Sequence, residues 1–182
     1  MGKLDQGVAA SRGRYHVVPR TLCFISHGTH GDTYGGDVLL LRGAPDKRIW
    51  PNQYNGVGGH VERDEDVLTA AVREMQEETA LDVRNVRLRG VINVDASDPL
   101  AGILLFVFTA EATDRQFSPS PEGMLEWVSR EQALTLDLAE DLPLILPRVL
   151  SMAADEPPFF AQYAYDEDDE LTVTFASDHI LD

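Results

Sequence analysis

Cysteine is almost absent: Cys23 is the only one in 182 residues. No internal disulfide is possible, and a reducing, cytoplasmic location is the simplest expectation. Basic charge is scarce too, with 15 Lys and Arg against 31 Asp and Glu, a formal net charge of −16. That argues against direct nucleic-acid binding, which needs a basic surface. It leaves phosphorylated small molecules open, because a bound metal ion inverts the sign of a site. No apolar run approaches the roughly 18 residues of a membrane span, and the N-terminus lacks the apolar stretch of a signal peptide, so no membrane association is expected. Gln6 stands where a myristoylation signal wants Ser or Thr. No repeat is present, nor any linker long enough to separate one domain from another.

What is there is an ordinary globular composition, 43% hydrophobic and 25% charged, sized for one domain. Residues 1–14 read as a flexible tail and 15–182 as a single domain, monomer or homodimer. Arg20–Ser26 (RTLCFIS) and Asp37–Leu41 (DVLLL) read as strands, separated by a turn-rich stretch over 27–36. A long loop follows from Arg42 to Asn55. Asp64–Thr79 is expected to be a helix. Val86–Val94, Ile103–Ala110 and a short run around Glu126–Val128 read as strands. Ser129 is placed to cap a helix at Arg130 with Gln132 as its partner, and Leu142–Met152 reads as another helix, with Pro143 in its first turn. The closing FFAQYAYDEDDELTVTF alternates on both sides of an acidic turn, as a hairpin does.

The helix carries its acids at the wrong end. Glu74, Glu77 and Glu78 crowd its last turns, where the peptide dipoles favour cations. Glu74 and Glu78 are also like charges four apart. At 100° per residue, Leu68, Ala71, Val72, Met75 and Thr79 form the expected core stripe, and the three glutamates share the adjoining arc. Glu65 and Asp66 lie at the favourable N-terminal end. Acids gathered on one edge, after a Gly58–Gly59 pair that lets backbone approach a ligand, suit a hard divalent cation that wants carboxylate oxygens from one rigid surface.

The stretch GGHVERDEDVLTAAVREMQEETAL resembles the Nudix box, G-x5-E-x7-R-E-U-x-E-E-x-G-U, where U is bulky and apolar. Gly59, Glu65, Arg73, Glu74, Met75, Glu77, Glu78 and Leu81 match, and Ala80 replaces the second glycine. The resemblance implies an α/β fold, an α/β/α sandwich with a mixed β-sheet and, here, a C-terminal hairpin. It also implies hydrolysis, dependent on Mg²⁺ or Mn²⁺, of a nucleoside diphosphate linked to X. Glu74, Glu77 and Glu78, with Gly59, become the metal-binding positions. One of the acids, or a glutamate outside the box such as Glu122, becomes the base. Arg73 is then an orienting partner and Glu65 a structural one. The exit of the helix at Ala80 is open, because glycine there takes a left-handed conformation most easily.

The flanks bear on X. YNGVGGHVE is similar to the approach to the box in MutT-type enzymes that hydrolyse oxidised purine nucleoside triphosphates, where the asparagine of W-N-G contacts the purine. Asn55 matches that position, and the turn before Gly56 is its plainer explanation. The branch's W-P-D-D is matched by Leu138, Ala139, Glu140 and Asp141, keeping the acids and losing the aromatic. Those acids are equally explained as the start of the next helix. His60 follows the glycine pair, near where phosphate is expected. His27, His30 and His179 show no metal-ligand spacing. Arg42, Lys47 and Arg48 are loop cations available to phosphates. Pro99 comes late for an ADP-ribose-type member, and no tyrosine follows the box at the place expected of a dinucleoside-polyphosphate type. Hydrolysis of ADP-ribose or a nucleotide sugar, and a sensor with weak turnover, remain as alternatives.

Overall fold

The computed structural model describes residues 13–28, 36–120, 122–168 and 170–176. Most of the expected tail and of the turn-rich 27–36 stretch, with His30 and His179, lies outside them. In chain order the elements are β1 (His16–His27), β2 (Asp37–Gly43), β3 (Tyr54–Asn55), α1 (Val67–Thr79), β4 (Val83–Asp98), β5 (Ala101–Ala112), β6 (Gly123–Ser129), α2 (Arg130–Ala133), α3 (Leu142–Ser151), β7 (Phe159–Tyr165) and β8 (Leu171–Phe175).

The apolar runs in β1 and β2 are continuous because both faces of the sheet are covered. Leu22, Phe24, Val38 and Leu40 face a core with Ala133 of α2 and Leu142, Ile145, Leu146 and Val149 of α3. Cys23, Ile25, Leu39 and Leu41 face the other core, with Ala71 and Met75 of α1. This is the expected α/β/α arrangement. The sheet runs β3-β2-β1-β5-β4-β7-β8, with β6 paired to β2. β1 with β5, and β4 with β7, are parallel. The other pairs are antiparallel. The terminal hairpin is present as β7–β8, with Ala161 opposite Phe175. Among the described residues no helix is long and apolar enough to cross a membrane.

Two expectations about α1 are corrected. It starts at Val67, three residues late, because Asp66 is the cap and its carboxylate accepts from the N–H groups of Leu68 and Thr69. Its buried residues are Ala70, Ala71, Met75, Glu78 and Thr79, whereas Leu68 and Val72 are 48% and 39% exposed. Small alanines bring the helix close to β1 and rotate the buried arc toward Glu78. At the other end Ser129 accepts from the N–H of Gln132, as expected, but α2 is only one turn.

Candidate active site

After β3 the chain doubles back beside β1. Cys23 and Val57 exchange backbone hydrogen bonds at 2.7 and 3.1 Å, and the N–H of Thr21 donates to the Gly59 carbonyl at 2.8 Å. Gly58 has a φ of 147°, and a Cβ there would lie 2.3 Å from the Thr21 carbonyl oxygen. A Cβ on Gly59 would lie 2.5 Å from Glu74 Oε1. Only glycine lets β1, this segment and the acidic edge of α1 come together.

Arg73 organises the acids. Its Nε and Nη2 grip Glu65 at 3.1 and 2.7 Å, its Nη1 reaches Glu74 at 2.9 Å and Glu77 at 3.0 Å, and Nη2 also donates to the His60 carbonyl at 3.0 Å. One guanidinium thus offsets the repulsion that the sequence pattern builds in. The Arg73 hydrogen bonds hold the Glu65 carboxyl below its usual range.

Glu78 is different. It is only 7% exposed. Its Oε1 accepts from the Gly58 N–H at 3.2 Å, and its Oε2 is buried without a partner. Burial pushes its pKa up to about 7, opposed by the Gly58 N–H and reinforced by Glu122 and Glu74. Glu122 is exposed and pairs with Lys47 at 2.6 Å. The expected metal-binding set is not drawn into a closed cage: among the described residues no three acidic, histidine or cysteine side chains converge on one point. Glu77 turns outward to Arg73, its side chain 60% exposed, as mutually repelling carboxylates do when a cation is within reach. The Gly59 carbonyl, named with them, already accepts from Thr21, which leaves it one lone pair.

Two adjoining cavities open here. The smaller, about 330 Å³, is lined by Glu78, Glu122, Lys47 and Arg48 among others. The larger, about 490 Å³, reaches across the sheet to Asp141, Tyr163 and Ile103. Arg20, Trp50, Asn55, Gly56, Gly58 and Glu122 line both. Gly59, His60 and Glu140 line the larger. So the expected residues from the 55–60 segment and from the 140–141 pair do meet, although about 80 positions separate them. Arg42 lines neither cavity; its Nε donates to the Asn52 carbonyl at 3.2 Å. The Oδ1 of Asn55 accepts from the Gly56 N–H at 2.8 Å, so the turn explanation is present, and only its amide end is left for a ligand.

Asp141 begins α3 but does not cap it with its side chain. It is 7% exposed, with Oδ1 buried and unpartnered. Burial pushes its pKa up to about 6; its own N–H and the nearby Tyr163 hydroxyl oppose this, and Glu140 adds to it. Tyr163 faces this carboxyl without closing a hydrogen bond of good geometry, since its hydroxyl is also unpartnered. Leu138, which stands in place of the aromatic, is buried, but Trp50, Tyr163 and Tyr165 supply aromatic wall to the larger cavity. Sequence reasoning missed Arg20, Trp50 and Tyr163. Each lies in a strand or loop with no motif, and no local pattern announces a cavity wall assembled from distant segments.

The family described as NUDIX domain matches residues 20–149. The uncharacterized Nudix hydrolase YvcI of Bacillus subtilis is 32% identical over 95 residues, 50% of this chain and 58% of that protein. The NAD-capped RNA hydrolase NudC of Deinococcus radiodurans is 34% identical over 105 residues, 58% of this chain and 34% of that protein. The chain therefore spans under two thirds of either relative's length. Among solved structures, the mutator MutT protein of Bacillus halodurans superposes with a TM-score of 0.69 at 26% identity, over 87% of this chain and 97% of that one. The NUDIX domain of Shewanella oneidensis NrtR, solved with ADP ribose, shares the fold with a TM-score of 0.61 at 17% identity, over 81% and 97%.

Proposed function

This chain belongs to the Nudix family, and from that premise we propose that it is a metal-dependent pyrophosphohydrolase that cuts a purine nucleoside triphosphate, preferably an oxidised one, to the monophosphate and pyrophosphate. The observation that carries this reading is the pair of unspent carboxylate oxygens, Glu78 Oε2 and Asp141 Oδ1, one beside each of two adjoining cavities that share Arg20, Asn55 and Gly58. Buried polar atoms without partners cost about 1–3 kcal/mol each, so their retention beside both cavities supports a ligand that spans them.

A divalent cation, Mg²⁺ or Mn²⁺, fits the acid end. Glu78 offers a buried hard oxygen, and Glu74 lies against Gly59 beside it. Glu78, Glu74 and Glu77 would hold the ion, with the second lone pair of the Gly59 carbonyl in reserve. The open set leaves room for the waters and substrate phosphates that such ions keep. When bound, the cation neutralises phosphate oxygens and lowers the pKa of water. The chain supplies the rest. Arg73 keeps Glu74 and Glu77 aimed. Glu122, exposed on the rim shared by both cavities, takes the proton of the attacking water. Lys47 and Arg48 line the phosphate side. In the larger cavity Asp141 addresses the base, with Glu140 and His60 on the wall, while Asn55 and Trp50, which line both cavities, offer a free amide and an aromatic face. Phosphoryl transfer asks for little beyond such positioning and charge compensation.

The decisive measurement is kcat/KM for oxidised dGTP, dGTP, ADP-ribose and a nucleotide sugar under one set of conditions with Mg²⁺. The oxidised triphosphate is expected to lead. A clear lead for ADP-ribose or the sugar would overturn the purine triphosphate assignment and keep the hydrolase. Equal, slow turnover of all four would favour a nucleotide sensor.

A further inference from the structure

Arg20 stands where the two cavities adjoin, and among the described residues its charge is not paired with an acid. Acids outnumber Lys and Arg by 31 to 15 in this chain, and two cations around the acid cluster are spent on them: Arg73 on Glu65, Glu74 and Glu77, and Lys47 on Glu122. Arg20 is half-buried and lines both cavities, yet among the described residues it makes no ion pair. Its Nε donates instead to His60 Nε2 at 3.2 Å. That bond requires the proton of a neutral imidazole to sit on Nδ1. It fixes one edge of the guanidinium without neutralising it, and it leaves the two terminal nitrogens unspent.

The placement is rigid. On one side of Arg20 the Pro19 carbonyl accepts from the N–H of Val61 at 3.1 Å, and on the other the N–H of Thr21 donates to Gly59 at 2.8 Å. The guanidinium is thereby set at the seam of the cleft. On one side lie Glu78, Lys47 and Arg48; on the other lie Asp141, Tyr163 and Ile103. A fixed cation with a free planar fork is suited to two oxygens of one phosphate.

We propose that Arg20 binds the phosphate that stays with the nucleoside, and so sets the register in which the scissile bridge lies against the acids. The proposal rests on the nucleotide-hydrolase reading above. Arg20 is a substrate-binding and positioning residue, held by His60. A nucleotide whose base lies on the Asp141 side and whose outer phosphates lie on the Lys47 side passes the seam at its innermost phosphate, so the contact selects a nucleotide over its nucleoside, whatever the base.

The test is equilibrium binding of GMP, guanosine and pyrophosphate, by calorimetry, to the wild type, Arg20→Gln and Arg20→Lys, alongside kcat and KM for dGTP. The wild type is expected to bind GMP well above guanosine. Arg20→Gln should bring GMP down by about 10- to 100-fold, the scale of losing a charge-assisted pair of bonds, leave pyrophosphate affinity unchanged and raise KM. Arg20→Lys should restore some of the GMP affinity. Equal weakening of pyrophosphate and GMP, an unaffected GMP affinity in Arg20→Gln, or a wild type that binds GMP no better than guanosine would each overturn the proposal. Wild-type protein that binds GMP with the expected Arg20 dependence but turns over no triphosphate would support the contact and count against the hydrolase reading alone. Melting curves of both variants should match the wild type, since the guanidinium holds no core group.

Discussion

Asp141 occupies the position where an acidic side chain ordinarily caps a helix, yet its side chain makes no capping hydrogen bond, and its Oδ1 is buried without a partner beside the larger cavity. Its folded pKa, about 6, lies above its ordinary value of 3.8. Between those values the unfolded chain has released the proton and the folded chain still holds it. Asp141 therefore removes stability as pH rises from about 4 to about 6, opposite in sign to Glu65, whose pKa is lowered by Arg73. Asp141→Asn should gain on the wild type across that window, by roughly 3 kcal/mol at most, when denaturant melts are compared at each pH. Glu65 contributes equally to both proteins and cancels. The same substitution should reduce the preference for an oxidised over a normal purine. A stability difference that stays flat with pH would mean that Asp141 is not the buried, proton-holding group described.

At the scale of the element, α1 resolves the acid puzzle in two ways. Arg73 offsets Glu74 and Glu77, and Glu78 turns under the Gly58 N–H. Asp66 satisfies the start of the helix. The departure from the box, Ala80, sits at φ 58°, ψ 18°, with its N–H donating to the Gln76 carbonyl at 2.8 Å. A left-handed alanine carries strain of about 1 kcal/mol, so the chain keeps the family's helix exit without the residue that makes it easy. Ala80→Gly should raise the melting temperature, by about 1 kcal/mol of stability less whatever glycine's extra unfolded-state freedom removes. A lowered melting temperature would show that the strain argument fails at this position.

Across the whole molecule, the two cores bury their apolar groups independently of the acid cluster, so the fold should persist without a divalent cation. Mg²⁺ binding the folded state alone should nonetheless raise the melting temperature, by the equivalent of about 2.7 kcal/mol at a hundred times its Kd. Glu78→Gln should abolish much of that rise and lower kcat/KM by at least about 100-fold, the scale of losing a main electrostatic element. Without metal it should melt no lower than the wild type, because a buried carboxylate with an unpartnered oxygen has been made neutral. A Glu78→Gln protein fully active with Mg²⁺ would remove Glu78 from the site.

The box, the Ser129 cap and the closing hairpin are legible in the chain, because each depends on residues within a turn or two of one another; the exit at Ala80 is left open by the sequence, and the structure makes it left-handed. The alternation of β1 between two cores is legible only as an apolar run; that α1 covers one face and α3 the other follows from sheet topology. The stripe on α1 differs from its periodicity at Leu68 and Val72, because periodicity locates a face but not how close Ala70 and Ala71 let the helix come. Arg20, Trp50 and Tyr163 carry no local signal. Their meeting with Asp141, and the two carboxylate oxygens left without partners, arise from strands distant in sequence brought side by side, which only the tertiary structure decides.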